Sequence, residues 1–200
     1  LVVSKTGLDK ALTFANQLFL LLEENNHNVI IAPSSALLYR ADVDEHEIPR
    51  KKRYVYNDLW HPWRVTVVYI GTVAIGLTII EMSEEAEVRY VNGNYILEKD
   101  YIPPKRGRYA HEHTWTTTKD YPTGRLCLQA YSPYQDTQWI KRWQETKGAD
   151  LNTRIKSIVR ELEQAAEEIA KLVEEAAKRA EIRRQEWEAQ QEKWQREAEV

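Results

Sequence analysis

Two hundred residues, 42% hydrophobic and 30% charged, suffice for one domain of ordinary size plus an extended element and exclude a disordered chain. A formal net charge of -3, from 28 Lys and Arg against 31 Asp and Glu, argues against a surface that binds nucleic acid all over, but allows a local basic patch. The single cysteine, Cys127, excludes an internal disulfide and a cysteine-rich zinc module; it reads as a small buried hydrophobe on a strand and implies a reducing, cytoplasmic compartment.

The chain opens Leu1-Val2-Val3 and its one methionine is Met82, which predicts a further segment upstream in a parent protein. The short apolar start is followed by Ser4 and Lys5 rather than preceded by charge, unlike a secretory signal. The first predicted element is a helix over residues 7–26, with Leu8, Ala11, Leu12, Ala15, Leu18, Phe19 and Leu22 on one face and Asn25, Asn26 and Asn28 ending it. Residues 29–32 read as a strand stopped by Pro33. Over residues 34–63, a short helical turn capped by Ser34 and Ser35 competes with a strand over 37–43, and the strand is preferred.

Residues 65–70 and 73–79 are β-branched and aromatic runs joined by Gly71-Thr72, a loop that suits a type II′ hairpin. Residues 87–91 and 95–97 flank Asn92-Gly93, a strong hairpin signal. The first hairpin is apolar on both alternating faces, which predicts a central position covered on both sides, one of them by the first helix; the second is one-sided and belongs at an edge. The 16 uncharged residues between Arg64 and Glu81 fall short of the roughly 20 that a membrane helix needs, so no membrane span is expected. Residues 99–121 read as loop, Pro122-Thr123-Gly124 as a turn, and 125–131 as a further strand. Trp139, Ile140 and Trp143 then lie at helical spacing. A break at Gly148 follows, with Asp150 as the next N-cap and Thr153 inside the first turn.

From residue 150 to 199 no glycine or proline interrupts a helical pattern. Leu151, Ile155, Ile158, Leu162, Ala165, Ile169, Leu172 and Ala176 mark a seam. Glu167 with Lys171, Glu174 with Lys178, Glu175 with Arg179, and Glu192 with Arg196 are spaced to pair along the surface. Beyond Ala180 only Ile182, Trp187 and Trp194 are large and apolar, and the two tryptophans, seven apart, share a stripe. Such a helix, about 75 Å long, must leave the globular part. Its seam reads either as cover for the chain's own sheet or as an interface, with Ile158, Leu162, Ile169, Leu172, Trp187 and Trp194 meeting a second copy or a partner protein.

Reaction chemistry is sparse. No GxSxG turn, HExxH motif or Gly-rich phosphate loop occurs, and no cofactor or metal ligand set is assigned. His111, Glu112 and His113 precede Asp120, with His46 and His61 elsewhere, and read as loop residues. Asp42, Asp44, Glu45 and Glu47 ahead of a basic run read as a solvated loop of mixed charge. Arg50, Lys51, Lys52 and Arg53, followed by Tyr54, Tyr56, Trp60 and Trp63, and a second cluster of Lys105, Arg106, Arg108 and Tyr109 are candidates for nucleic-acid contact, since basic residues among aromatics neutralise phosphates and stack bases.

The segment TVVYIGTVAIGLTIIEMSEEAEVRYVNG, an IPP segment, DYPTGRLCL, a Trp-rich stretch, LNTRIKSIVRELEQAAEEI and a Glu/Arg/Trp-rich tail, in that order, resemble a family of uncharacterised bacterial proteins from about Leu12 onward. The resemblance implies a helix-turn-helix-like segment upstream in the parent protein and a DNA-associated or regulatory role; it transfers no catalytic residue.

The expected fold is therefore α+β. A mainly antiparallel sheet with a packed N-terminal helix (residues 1–132) precedes a long, coiled-coil-like helical arm (133–200). The expected function is non-enzymatic association through that arm in a bacterial, DNA-associated protein. The alternatives are a metal-dependent nucleic-acid-processing enzyme, or direct nucleic-acid binding by the basic and aromatic loops.

Overall fold

The computed structural model describes residues 1–47, 64–103 and 114–198. Six strands form one antiparallel sheet: β1 (Asn28–Ile31), β2 (Thr66–Ile70), β3 (Val73–Val91), β4 (Asn94–Leu97), β5 (Trp115–Tyr131) and β6 (Ile140–Gln144). Their order is β1-β2-β3-β5-β6, with β4 pairing the far end of β3. Two helices complete the α+β fold, α1 (Leu8–Glu24) and α2 (Ile155–Ala198).

Both hairpin turns form where the sequence places them. Gly71 has φ 60° between β2 and β3; Asn92 and Gly93, with φ 50° and 90°, give the two left-handed residues that a type I′ turn between β3 and β4 requires. One face of the sheet carries the main core. Phe14, Leu18 and Leu22 of α1 and Ile158, Leu162 and Ile169 of α2 pack against Val68, Ile75, Leu128 and Trp143. The other face is covered by the segment that follows β1, around Leu38 and Val43: Leu38 packs with Ala32, Val65, Val67 and Ala74, and Val43 packs with Ile80, Met82 and Cys127. On this face Tyr131 lies across Gly76, where any side chain would overlap the tyrosine ring.

Four expectations change. Residues 37–43 form no strand; they run as an extended cover over the second face, tied by Tyr39 N–H to Pro133 O at 2.7 Å. Residues 115–121 are not loop but the outer half of β5, paired with β3 from Tyr90↔Trp115 to Ser83↔Pro122. Pro122-Thr123-Gly124 is consequently a bulge within a strand rather than a turn. A bulge tolerates proline's missing donor, and Gly124 takes φ 74° there. Trp139, Ile140 and Trp143 do not make a helix: residues 140–144 close the sheet as β6, because the edge of β5 offers a ladder of backbone partners that a two-turn helical pattern cannot match.

The break at Gly148 and the cap at Asp150 are present. Asp150 accepts a hydrogen bond from Asn152 N–H at 2.9 Å and opens the short 3₁₀ turn Leu151–Arg154 that leads into α2. β6 and the first half of α2, grouped with the arm on sequence, share the core of the preceding residues.

Ile158, Leu162 and Ile169 are fully buried against the chain's own sheet, so they form no surface for a partner. Leu162→Ala should therefore lower stability by about 2–5 kcal/mol in urea unfolding and leave the solution mass of the folded protein unchanged. A second prediction concerns the cap. The Asn152 N–H bond holds the Asp150 carboxyl below its ordinary value of 3.8. A lowered folded-state pKa gives a contribution complete above about pH 4 and lost as pH falls through the folded value. Asp150→Ala should cost about 1 kcal/mol at pH 7, and the gap from wild type should close as unfolding is followed below pH 3.8.

Candidate functional site

α2 outgrows the domain that it covers. Its buried side chains end at Ala176, and every residue from 177 to 197 is exposed except the half-buried Gln191. At about 1.5 Å per residue, those 22 helical residues to Ala198 project by roughly 33 Å. Counting 3.6 residues per turn, Trp187 and Trp194 follow Ala176 by about three and five whole turns, and Ala176 follows Ile158 by about five. The stripe that faces the core thus continues beyond its edge and changes there from aliphatic to tryptophan. Trp187 is 61% and Trp194 55% exposed. Ile182, also exposed, lies off this stripe.

Local ion pairs keep the projecting segment helical. Glu174 with Lys178 (2.7 Å), Arg184 with Glu181 (2.9 Å) and Glu188 (3.8 Å), and Arg196 with Glu192 (3.1 Å) run along its surface. One pair reaches back: Arg183 meets Asp136 of the β5–β6 connection at 2.6 Å. Beside it opens a cleft of about 660 Å³ between Asp136, Gln138, Leu172, Arg179, Ile182 and Arg183. Of the six interface candidates, then, Ile158, Leu162 and Ile169 are core, Leu172 is half-buried at this cleft, and Trp187 and Trp194 are exposed. The nucleic-acid candidates Arg50, Lys51, Lys52, Arg53, Lys105, Arg106 and Arg108 lie outside the described residues, as do His61, His111, Glu112 and His113.

Two buried glutamates have the burial of catalytic acids but the partners of structural ones. Glu81 accepts from Ser4 N–H (2.7 Å) and Gly124 N–H (3.1 Å), fastening the N-terminal segment to the β5 bulge. Glu145 accepts from Lys10 Nζ (2.5 Å), Leu126 N–H (2.8 Å) and Leu151 N–H (3.4 Å), joining α1, β5 and the start of the α2 segment. Both carboxylates are thus taken up by backbone and lysine donors that tie one element to another. Cys127 is also inert. Burial pushes its thiol pKa up, more than the Arg142 guanidinium 3.4 Å from its Sγ can draw it down.

The second face holds one polar cluster that sequence spacing does not reveal. His46, 7% exposed, bridges to Ser83 of β3 through its backbone. Asp44 Oδ1 accepts from His46 N–H at 3.0 Å and from its ring Nδ1–H at 2.7 Å. The other ring nitrogen, Nε2, lies 3.2 Å from Asp120 Oδ1 on β5. Burial pushes the Asp44 carboxyl up, but the His46 hydrogen bonds and the charges of His46 and Arg142 outweigh it and leave the pKa below its ordinary value. One donor atom each from Glu45, His46 and Asp120 lie within 4.8 Å of one another. His46 and Asp120 are brought together by the β3–β5 register, and no motif in the linear chain marks their meeting.

No family model, curated protein or solved structure matches this chain, so the resemblance to a bacterial family rests on the sequence alone. Among the described residues, no helix is long and apolar enough to cross a membrane.

If Glu145 is structural, Glu145→Ala should lower stability by about 2–4 kcal/mol, because two buried backbone N–H groups lose their acceptor. Chemical denaturation checks this, and Lys10→Ala, which removes only the half-exposed partner, should cost markedly less.

Proposed function

We propose that this protein is a non-enzymatic association module whose partner is a second copy of itself, paired antiparallel through the projecting half of α2. The observation that carries this reading is the continuation of the core-facing stripe past the edge of the domain. Two tryptophans lie there more than half exposed, and large aromatic side chains left in water on a rigid helix are the usual anchors of an interface.

Charge favours a second copy over an unrelated partner. Residues 178–184 carry Lys178, Arg179, Arg183 and Arg184 against one acid, Glu181, whereas 186–192 carry Glu186, Glu188 and Glu192 and no base. A parallel pair would set like beside like. An antiparallel pair centred on Gln185 sets Lys178 opposite Glu192 and Arg184 opposite Glu186. The same register places Trp187 against Arg183, a cation–π pairing, and Trp194 against the small Ala176, beside the cleft at the base of the arm. Were a DNA-reading segment attached upstream, as the bacterial resemblance implies, twofold pairing would supply the symmetry that paired half-sites need.

Light scattering across a concentration series tests the reading. The full chain should be a dimer, and Trp187→Glu with Trp194→Glu should weaken it at least 100-fold, to a monomer that keeps the wild-type far-UV circular dichroism and a cooperative unfolding transition, since two exposed hot-spot residues together carry about 3 kcal/mol or more. Exchanging Arg184 and Glu186 against each other should leave the dimer intact, whereas Lys178→Glu with Arg184→Glu should loosen it in low salt. A wild-type monomer at all concentrations would sink the proposal.

A further inference from the structure

We propose that the cleft between the extended segment 39–42 and the β5–β6 connection binds a free α-amino acid with a large aromatic side chain, its carboxylate on Arg40 and its ammonium on Asp42. The inference does not rest on pairing through the helical arm. The cleft has a volume of about 720 Å³, within the range of roughly 300–1,000 Å³ usual for small-molecule sites. Arg40 and Asp42 of the extended segment line it, together with Ser132, Tyr134, Thr137 and Trp139 of the connection.

Unmatched charge selects the ligand. The Arg40 guanidinium is half-buried, yet among the described residues it meets no carboxylate and no hydrogen-bond acceptor. The exposed Asp42 carboxylate is likewise without a partner there; only its backbone O is engaged, by Gln129 Nε2–H at 2.8 Å. Asp136, the other acid at the cleft, is already held by Arg183 at 2.6 Å. One unpaired cation and one unpaired carboxylate in a single cleft are matched by a zwitterion. A phosphate would set two charges on one guanidinium in the company of two carboxylates. A simple carboxylic acid would leave Asp42 unmatched, and a simple amine would meet Arg40.

The connection supplies acceptors for the ammonium and rings for the side chain. Thr137 Oγ1–H donates to Tyr134 O at 2.7 Å, and a hydroxyl has one proton, so Ser132 Oγ–H donates to Thr137. Both protons are thus spent within the protein, and the two buried residues offer a ligand only lone pairs. An ammonium has three donors, enough for Asp42 and for one of these oxygens. The rings are set before a ligand arrives. Trp139 Nε1–H donates to Glu168 Oε2 at 3.0 Å, and Tyr134 Oη accepts from Ala74 N–H at 2.7 Å, so binding need not order either side chain. The segment that carries Arg40 and Asp42 is fastened too, by Tyr39 N–H to Pro133 O at 2.7 Å and by the Gln129 bond to Asp42 O. A flat side chain gains most against such rings, by stacking as well as by burial.

Titration calorimetry on the full chain with L-tryptophan, L-tyrosine and L-phenylalanine tests the site. Expected are one ligand per chain and a Kd below about 1 mM for the best of the three, with glycine too weak to detect. Tryptamine, which lacks the carboxylate, and N-acetyl-L-tryptophan, which lacks the ammonium, should each bind at least 10-fold more weakly than L-tryptophan, because each forfeits a charge-assisted hydrogen bond. Arg40→Gln and Asp42→Asn should each weaken L-tryptophan by about 10-fold or more while keeping the wild-type thermal midpoint, since neither side chain has a partner to lose. No binding of any of the three amino acids at about 5 mM, tryptamine or N-acetyl-L-tryptophan binding as well as L-tryptophan, or affinity indifferent to both substitutions would overturn the site and leave Arg40 and Asp42 as solvated charges.

Discussion

The antiparallel pairing of β3 with β5 is the constraint on which the rest of the molecule depends. β3 has 19 residues and β5 has 17, and their ladder runs from Gly76↔Tyr131 to Tyr90↔Trp115. Its two halves live in different surroundings. From Gly76 to Glu81 the ladder is buried on both faces, under α1 and α2 on one side and the segment around Leu38 and Val43 on the other. From Ser83 outward it is a polar ribbon, steadied by Tyr90 stacked on Trp115 at 4.2 Å and by Lys119 over Tyr95 at 3.5 Å. The bulge opposite Met82 marks the change. Extra residues there sharpen the local twist, and Glu81 fills the gap with acceptors for Gly124 N–H and Ser4 N–H. That one irregularity therefore seats the N-terminus, redirects the ribbon and sets Asp120 over His46.

Much of this architecture is legible in the residues because local and global preferences agree. Gly71-Thr72 and Asn92-Gly93 can do little but turn, and residues 65–80 are apolar on both faces and end up central. The misreadings share a cause. Residues 115–121 are threonine-rich and polar because they pair in the open, so they lack the alternation that marks a half-buried strand. Trp139, Ile140 and Trp143 satisfy helical spacing over too few residues to outweigh an available sheet edge. Residues 37–43 alternate because one side of an extended segment touches the sheet, and extended cover and strand differ only in whether a neighbour pairs with the backbone.

The candidate sites differ in the same way. A helix seam carries no label saying whether it meets its own sheet or another molecule, and periodicity alone joined Ile158 to Trp194. What separates the two is side-chain size: aliphatic residues that pack closely reach as far as Ala176, and tryptophans separated by charge follow. The His46 cluster had no such clue. His46 and Asp120 lie 74 positions apart by their numbering, and their proximity needs a bulge register that a linear reading does not contain.

The rooting of α2 gives the proposed pairing a mechanical consequence. The helix is continuous from Ile155 to Ala198, without glycine or proline, and its first half is locked into the core by Ile158, Leu162 and Ile169. Asp150 and Glu145 fix where it starts. A segment so held cannot swivel like a flexible linker, and its direction is set by the domain. Pairing centred on Gln185 lies nine residues beyond Ala176, about 14 Å of helix on each side, so two domains joined there would stand roughly 27 Å apart with a defined mutual orientation. A soft tether would raise local concentration and nothing more; a stiff one also fixes the spacing of whatever the two domains grip. The neutral, ion-paired surface of the arm serves that end, because it keeps the helix formed across the gap where no core supports it.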